Sequence, residues 1–403
     1  MKGAPSFAVP VLGTAVATCS VVAVMAASRA AETMSSPLLP TGGWKHAFVA
    51  ATVAAFALYC AGVFLLRRSG GSLLVVAAVA VVVQLAALVG PVLLSRDVYA
   101  YWAYARVATT HDGNPYVDVP GAHPDDPAVI RMGSSWLQTP SLYGPVFTAG
   151  SELVAVSVRS SPTAANRAFR SVAALSMLAI LLLVAALARD RAFAVAFVGW
   201  NPLLAFHAAG GGHNDALMMA LSLGALLLAR RGRPAASGVV WALAIGVKWV
   251  AAGFAGLVLL AGHVRDRRLI AGLAGGSALV AVGATILYGP HWVNALSGVS
   301  SQARRTGSLG LSGWLGDIGL GHRASLAVIG SATLAVAAFL AVQAWRGRLR
   351  LGLAGVLAAA LQGWLNPWYA VWGVALAAPE EDGTAQILAV ALSVLVLRDA
   401  LPL

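Results

Sequence analysis

Three stretches of this chain carry side chains able to do chemistry, and each adjoins a long apolar run. The first is Ser95-Arg96-Asp97-Val98-Tyr99-Ala100-Tyr101-Trp102-Ala103-Tyr104, where a carboxylate opens an aromatic stretch directly after the run Ser72–Leu94. A carboxylate there is either a solvated helix end beside Arg96 or a base within reach of a hydroxyl. Charge at a membrane boundary costs far less than charge at the bilayer centre. The second stretch is Gly210-Gly211-Gly212-His213-Asn214-Asp215, ahead of the run Ala216–Ala229. Asn214 or Asp215 can cap that helix. The glycines also let a ligand approach the backbone, where His213, Asn214 and Asp215 can hydrogen-bond sugar hydroxyls. The third is Lys248, inside the apolar stretch Ala236–Gly262. It is read either as a cation snorkelling to the interface or as an ammonium that holds a phosphate.

A weaker set follows Asp97. His111, Asp112, Asp118, His123, Asp125 and Asp126 share one polar stretch, but their spacing matches no tight ligand pattern, and a plain surface loop is the simpler reading. Trp136 and Tyr143 add aromatic faces, and Arg304 and Arg305 add cations further on. Trp and Tyr rings suit a membrane interface as well as sugar stacking. A transferase working from a lipid phosphate needs this set. Cations stabilise the departing phosphate, and a base activates the acceptor hydroxyl.

The elements that must position these residues are membrane helices. The chain is 59% hydrophobic and only 10% charged over 403 residues, with a mean hydropathy of +0.80. A soluble domain carries about a quarter charged residues. Phe7–Ala27, His46–Leu66, Ser72–Leu94 and Leu269–Tyr288 are each long enough to cross ~30 Å of hydrocarbon. Continuous apolar runs without alternation select helices over a barrel. The expected fold is all-α and polytopic, with roughly 11–13 transmembrane helices. Phe7–Ala27 follows only Lys2 and lacks a small-residue cleavage site, so it reads as a retained helix. Cys19 and Cys60 fall inside spans and read as plain apolar residues.

Basic clusters set the orientation. Arg67-Arg68, Arg189/Arg191, Arg230/Arg231/Arg233, Arg265/Arg267/Arg268 and Arg346/Arg348/Arg350 occupy short loops, which favours the cytoplasm for all of them. The net charge of +12 is thereby a topology signal, and no basic-aromatic pattern points to nucleic acid. Ser28–Lys45, residues 95–142 (the main loop, carrying short helices) and residues 289–323 then lie outside. Tyr143–Val158 must be re-entrant or shallow, because a full crossing would invert the clusters after it. Ala236–Gly262 must go out and return, each half being too short for a full span; a hairpin with Lys248 at its tip is expected. Residues 1–403 read as one integral membrane domain.

Taken together, Asp97 with Tyr99 and Tyr101, Gly113-Asn-Pro-Tyr116, Trp136…Pro140-Ser-Leu-Tyr-Gly-Pro145, Asn201-Pro202, Gly211-Gly-His-Asn-Asp-Ala-Leu-Met218, Lys248 and Asn366-Pro-Trp-Tyr369 resemble a known family. It is the actinobacterial polyprenol-phosphate-mannose-dependent α-(1→6)-mannosyltransferases of the glycosyltransferase C superfold. The Gly-Gly-His-Asn-Asp-Ala-Leu-Met run is the most specific of these motifs. The resemblance implies an inverting enzyme of the plasma membrane with its site on the extracytoplasmic side. Mannose would pass from polyprenyl-phosphate mannose to a cell-envelope glycan or glycolipid of the lipomannan core type. It implies Asp97 as general base. Lys248, with Arg304 or Arg305, would stabilise the polyprenyl phosphate. His213, Asn214 and Asp215, with Tyr99, Tyr101 and Tyr143, would hold substrate. A divalent cation, magnesium or manganese, stays open. The competing class is a transporter or flippase, which would place its polar site near the midplane between paired repeats; here the polar residues gather at one face, and no repeat is evident.

Overall fold

The computed structural model describes residues 7–31, 42–92, 95–262, 265–302, 305, 307, 309–398 and 401. Among these all regular structure is helical. In chain order the helices are α1 (Ala8–Ala31), α2 (Gly43–Ser69), α3 (Leu73–Val89), α4 (Asp97–Thr109), α5 (Val129–Met132), α6 (Pro145–Val158), α7 (Pro162–Leu187), α8 (Arg191–Gly199), α9 (Pro202–Leu204) and α10 (Asp215–Arg230). They continue with α11 (Pro234–Val247), α12 (Ala251–Ala261), α13 (Arg267–Tyr288), α14 (Asn294–Gln302), α15 (Leu311–Asp317), α16 (His322–Trp345), α17 (Leu351–Ala360), α18 (Ala370–Ala377) and α19 (Gly383–Leu397).

The chain is a polytopic all-α membrane protein. Five helical segments among the described residues are long and apolar enough to cross a bilayer: α1, α2, α7, α13 with its continuation to Gly298, and α16. A sixth is bent by 51° between α8 and the stretch Pro202–Gly210. Pro202 forces that bend, because it has no N–H for the helix ladder, and the Asn201 side chain accepts from the Leu203 N–H in its place. The remaining apolar helices, such as α3, α11, α12, α17 and α19, are shorter. Against the roughly 11–13 spans expected, five helices and one bent pair among the described residues are long enough to cross, and the other apolar helices are shorter pieces.

Packing gives the running directions. Gly13 of α1 lies against Val79, and Gly90 just after α3 lies against Val24, so α1 and α3 run parallel with α2 returning between them. The Trp200 indole fills the notch left by Gly13 and Gly62 and donates to the Val76 carbonyl at 3.0 Å. A Cβ at either glycine would collide with that ring. Likewise α11 and α13 are parallel: Gly272 abuts Ala235, Gly276 abuts Val239 and Ala242, and Gly246 meets Val280. The intervening α12 must therefore return. It does so away from α11, packing on α16 and α17. The expected hairpin with Lys248 at its tip is present, and its two halves pack on different neighbours, α11 on α10 and α13, and α12 on α16.

All the arginine-rich loops expected together come out at one end of this arrangement, where Arg350 pairs with Asp382 at 2.7 Å and Arg189 meets Glu381 at 3.2 Å. At the opposite end α6 starts beside Gly246 and finishes where Arg159 accepts from Arg106 at 3.0 Å. Both its ends stay at that end, so α6 is shallow. Most of Ser28–Lys45 lies outside the described residues. The main polar stretch, 95–142, folds into α4, α5 and short turns. A buried cluster fixes it: Asp126 accepts from Arg106 at 2.8 Å, lies 2.8 Å from His111, and caps Ala128, while His111 stacks on His123 at 3.7 Å. His111, His123 and Asp126 thus hold one another.

Candidate functional site

At the end opposite the arginine loops a cavity of about 780 Å³ opens. Asp97, Tyr101, Tyr143, Lys248, Trp364 and Tyr369 are among its walls. Four elements meet here: the start of α4, the loop before α6, the break between α11 and α12, and the turn leading into α18. The break is enforced by a backbone contact, because Gly144 packs on the Gly246 carbonyl and its N–H donates to Val247 at 3.2 Å.

Asp97 opens α4, and its N–H donates to the Ser95 hydroxyl at 3.1 Å. Its side chain is 16% exposed. Burial pushes its carboxyl up to about 6, against the lowering influence of Ser95 and Lys248. Behind it, His213 Nδ1 sits 3.4 Å from Asp97 Oδ2. The imidazole is fully buried and stacks on Trp368 with ring centroids 3.8 Å apart. Burial holds it neutral, well below the usual histidine range, and His207 and Lys248 push the same way. Neither ring nitrogen of His213 nor the Asn214 amide makes a hydrogen bond to the described protein.

Lys248 lies at the cavity wall, and its ammonium is bound by Asp215 at 2.8 and 2.7 Å. Asp215 also accepts from Trp372 Nε1 at 2.6 Å, while Tyr369 and Trp372 present ring faces to the lysine at 5.1 and 5.7 Å. Lys248 is thus paired inside the protein rather than snorkelling alone to the interface, and neither Asn214 nor Asp215 caps α10. Asn214 precedes α10 without a side-chain cap bond, and Asp215 is committed to Lys248.

The other expected residues divide. Tyr101 and Tyr143 line the cavity, edge to face at 5.0 Å. Tyr99 packs half-buried against the apolar core and does not line it. His213, Asn214 and Asp215 are buried behind the wall rather than on it. The glycines do not open the backbone to a ligand either: Gly212, at φ +71°, is met by Val98 and Arg170, and Gly211 by His207 and His213. Arg305 covers Trp136 and Trp364 at 4.8 and 5.5 Å. Arg304 lies outside the described residues. Among the described residues no three His, Cys, Asp or Glu side chains group as a metal site.

Sequence reasoning missed Arg96, Trp364 and Trp372, all on the wall. Arg96 was signalled by its place beside Asp97. Trp372 stands three positions after Tyr369, the spacing that puts two side chains on one helix face. For Trp364 no local pattern gave notice.

The family described as alpha-(1→6)-mannopyranosyltransferase, N-terminal domain, matches residues 8–263. Alpha-(1→6)-mannopyranosyltransferase B of Corynebacterium glutamicum is 29% identical over 334 residues, covering 70% of this chain and 55% of the relative. Alpha-(1→6)-mannopyranosyltransferase A of Mycobacterium tuberculosis is 32% identical over 183 residues, 43% of this chain and 34% of the relative. The chain spans about half or less of the length of these curated relatives. No solved structure matches it. With the family match running unbroken from α1 through α12 and enclosing Asp97, His213, Asp215 and Lys248, the chain belongs to the alpha-(1→6)-mannopyranosyltransferase family.

Proposed function

We propose that this chain transfers mannose from polyprenyl-phosphate mannose to a hydroxyl of a cell-envelope mannoside, in an α-(1→6) linkage, at the extracytoplasmic face of the plasma membrane. The observation that carries this reading is Asp97 on the wall of an aromatic cavity, its carboxyl raised toward neutrality by burial. A base with a pKa near the working pH transfers protons efficiently.

In the proposed step the acceptor oxygen attacks the anomeric carbon while Asp97 takes its proton. The bond from that carbon to the phosphate oxygen breaks, and its electron pair leaves with polyprenyl phosphate. One displacement converts a β-linked donor to an α-linked product. Charge grows on the phosphate, and Arg96 and Lys248 are the cations on the cavity wall that meet it. Lys248 is held in place by Asp215, so its donor is positioned before the reaction, which is what transition-state stabilisation requires. His213 stands behind Asp97, its Nδ1 3.4 Å from the carboxylate, and its packing on Trp368 limits where that carboxylate can turn.

The test is purified protein in lipid nanodiscs with polyprenyl-phosphate mannose and short α-mannosides. Formation of an α-(1→6)-linked product, lost on Asp97→Asn, supports the reading. Equal product from that variant would remove Asp97 as the base, and no transfer from the lipid donor to any mannoside would sink the function.

A further inference from the structure

We infer that Trp136, Trp364 and Arg305 form a saccharide-stacking subsite on the solvent side of the cavity, and that it takes the glycan acceptor. The inference rests on the transferase reading above and adds to it the place of the acceptor.

Three distant parts of the chain converge here. Trp136 comes from the loop between α5 and α6, Arg305 from the segment between α14 and α15, and Trp364 from the turn between α17 and α18. The two indoles lie nearly parallel, at 17°, with centroids 6.2 Å apart. The Arg305 guanidinium sits over both. Both rings are only half-buried and both line the cavity; Trp136 also rests on the apolar core, but Trp364 does not. Ser134 and Ser135, exposed members of the same wall, adjoin Trp136 and mark this side as the one open to water.

The chemistry here is that of a sugar site. A pyranose has an apolar C–H face that lies on an indole, and a rim of hydroxyls that needs donors and acceptors. Gln362 and Asn366 flank Trp364 on the wall and carry both, as does the Ser134 hydroxyl. Arg305 adds N–H donors in a fixed fork. A prenyl chain would want an apolar slot without that polar rim. The donor's phosphate belongs instead with Lys248, on the α11–α12 break.

The experiment uses the full chain in nanodiscs with Trp136→Ala, Trp364→Ala and the conservative Trp364→Tyr. Binding of α-(1→6)-mannobiose and mannotriose is read by saturation-transfer NMR without donor, and transfer kinetics are measured with both substrates. Each alanine variant should weaken mannoside binding and raise the acceptor KM about tenfold, while the donor KM stays near wild type. Trp364→Tyr should recover most of the loss, which a folding defect would not allow. Wild-type acceptor KM and binding in both alanine variants would overturn the subsite and leave the transferase reading standing. Should the wild type transfer nothing, binding decides: mannoside binding that both alanine variants lose upholds the subsite, and its absence in the wild type overturns it.

Discussion

The ammonium of Lys248 lies 2.7 Å from Oδ2 of Asp215, and the Trp372 indole donates to the other oxygen of the same carboxylate. Three elements, α10, the α11–α12 break and α18, are tied through one buried acid that is 1% exposed. Removing one partner of a buried pair strands the other, at a cost of about 3–5 kcal/mol. Lys248→Met and Asp215→Asn should therefore each lower the unfolding temperature in detergent. Lys248→Met combined with Asp215→Asn should lose less than the sum of the two single removals. Additive losses measured by thermal unfolding would show that the pair is not coupled.

The raised carboxyl of Asp97 predicts a pH profile. As a base it must be ionised, so kcat/KM should fall as pH drops, with a midpoint near 6. Above that the rate should be flat until another group titrates. Asp215, Lys248 and neutral His213 surround the carboxyl, and a profile with no acidic limb between pH 5 and 7 would contradict the assignment.

His213 touches Asp97 through Nδ1 and is packed on Trp368. At 3.4 Å the contact is polar but not a hydrogen bond, and replacing such a polar neighbour by an apolar one costs a buried charge about 1–3 kcal/mol, a rate effect of roughly five- to a hundredfold. His213→Asn, which places an amide nitrogen near the Nδ1 position, should retain far more activity than His213→Leu. The leucine variant should also move the acidic limb to higher pH, because an apolar side chain there deepens the burial that already raises the Asp97 carboxyl. Equal rates and unmoved limbs in the two variants would reduce His213 to packing.

Gly144 has ordinary backbone angles, yet its α-carbon faces the Gly246 carbonyl with no room for a methyl group. Gly144→Ala should force apart α6 and the α11–α12 break, at about 1–3 kcal/mol. The expected result is a lower unfolding temperature with a larger loss of transfer, since Tyr143 and Lys248 sit on the two sides of that contact. An unchanged Tm would show that the two segments separate freely.

Orientation is checked by labelling. In a Cys19→Ala/Cys60→Ala background, a cysteine at exposed Ser134 should react with a membrane-impermeant maleimide added to intact cells. One at exposed Arg231 should react only after lysis. The reverse pattern would place the cavity in the cytoplasm.

Much of this was legible in the sequence where physics is local. Long spans announce themselves by hydropathy, and a lysine in an apolar run betrayed the break at 248. A carboxylate at the end of a span marked Asp97. What stayed hidden is non-local. The Lys248–Asp215 pair joins residues 33 positions apart, and an ion pair leaves no periodic trace. The glycines before His213 were read as access for a ligand, whereas Val98 and Arg170 of the protein itself fill that space. The α11–α12 turn was anticipated, but its splay depends on α16 and α17, far along the chain.

The shortness of α12 has a consequence for the lipid around it. Its 11 residues measure ~16 Å, about half the ~30 Å hydrocarbon thickness. Helix ends cannot sit bare in oil, so a bilayer meeting this face compresses to match it. Under the transferase reading proposed above, thinning at that face would bring the donor's phosphate to the level of Lys248 without lifting it out of its own leaflet.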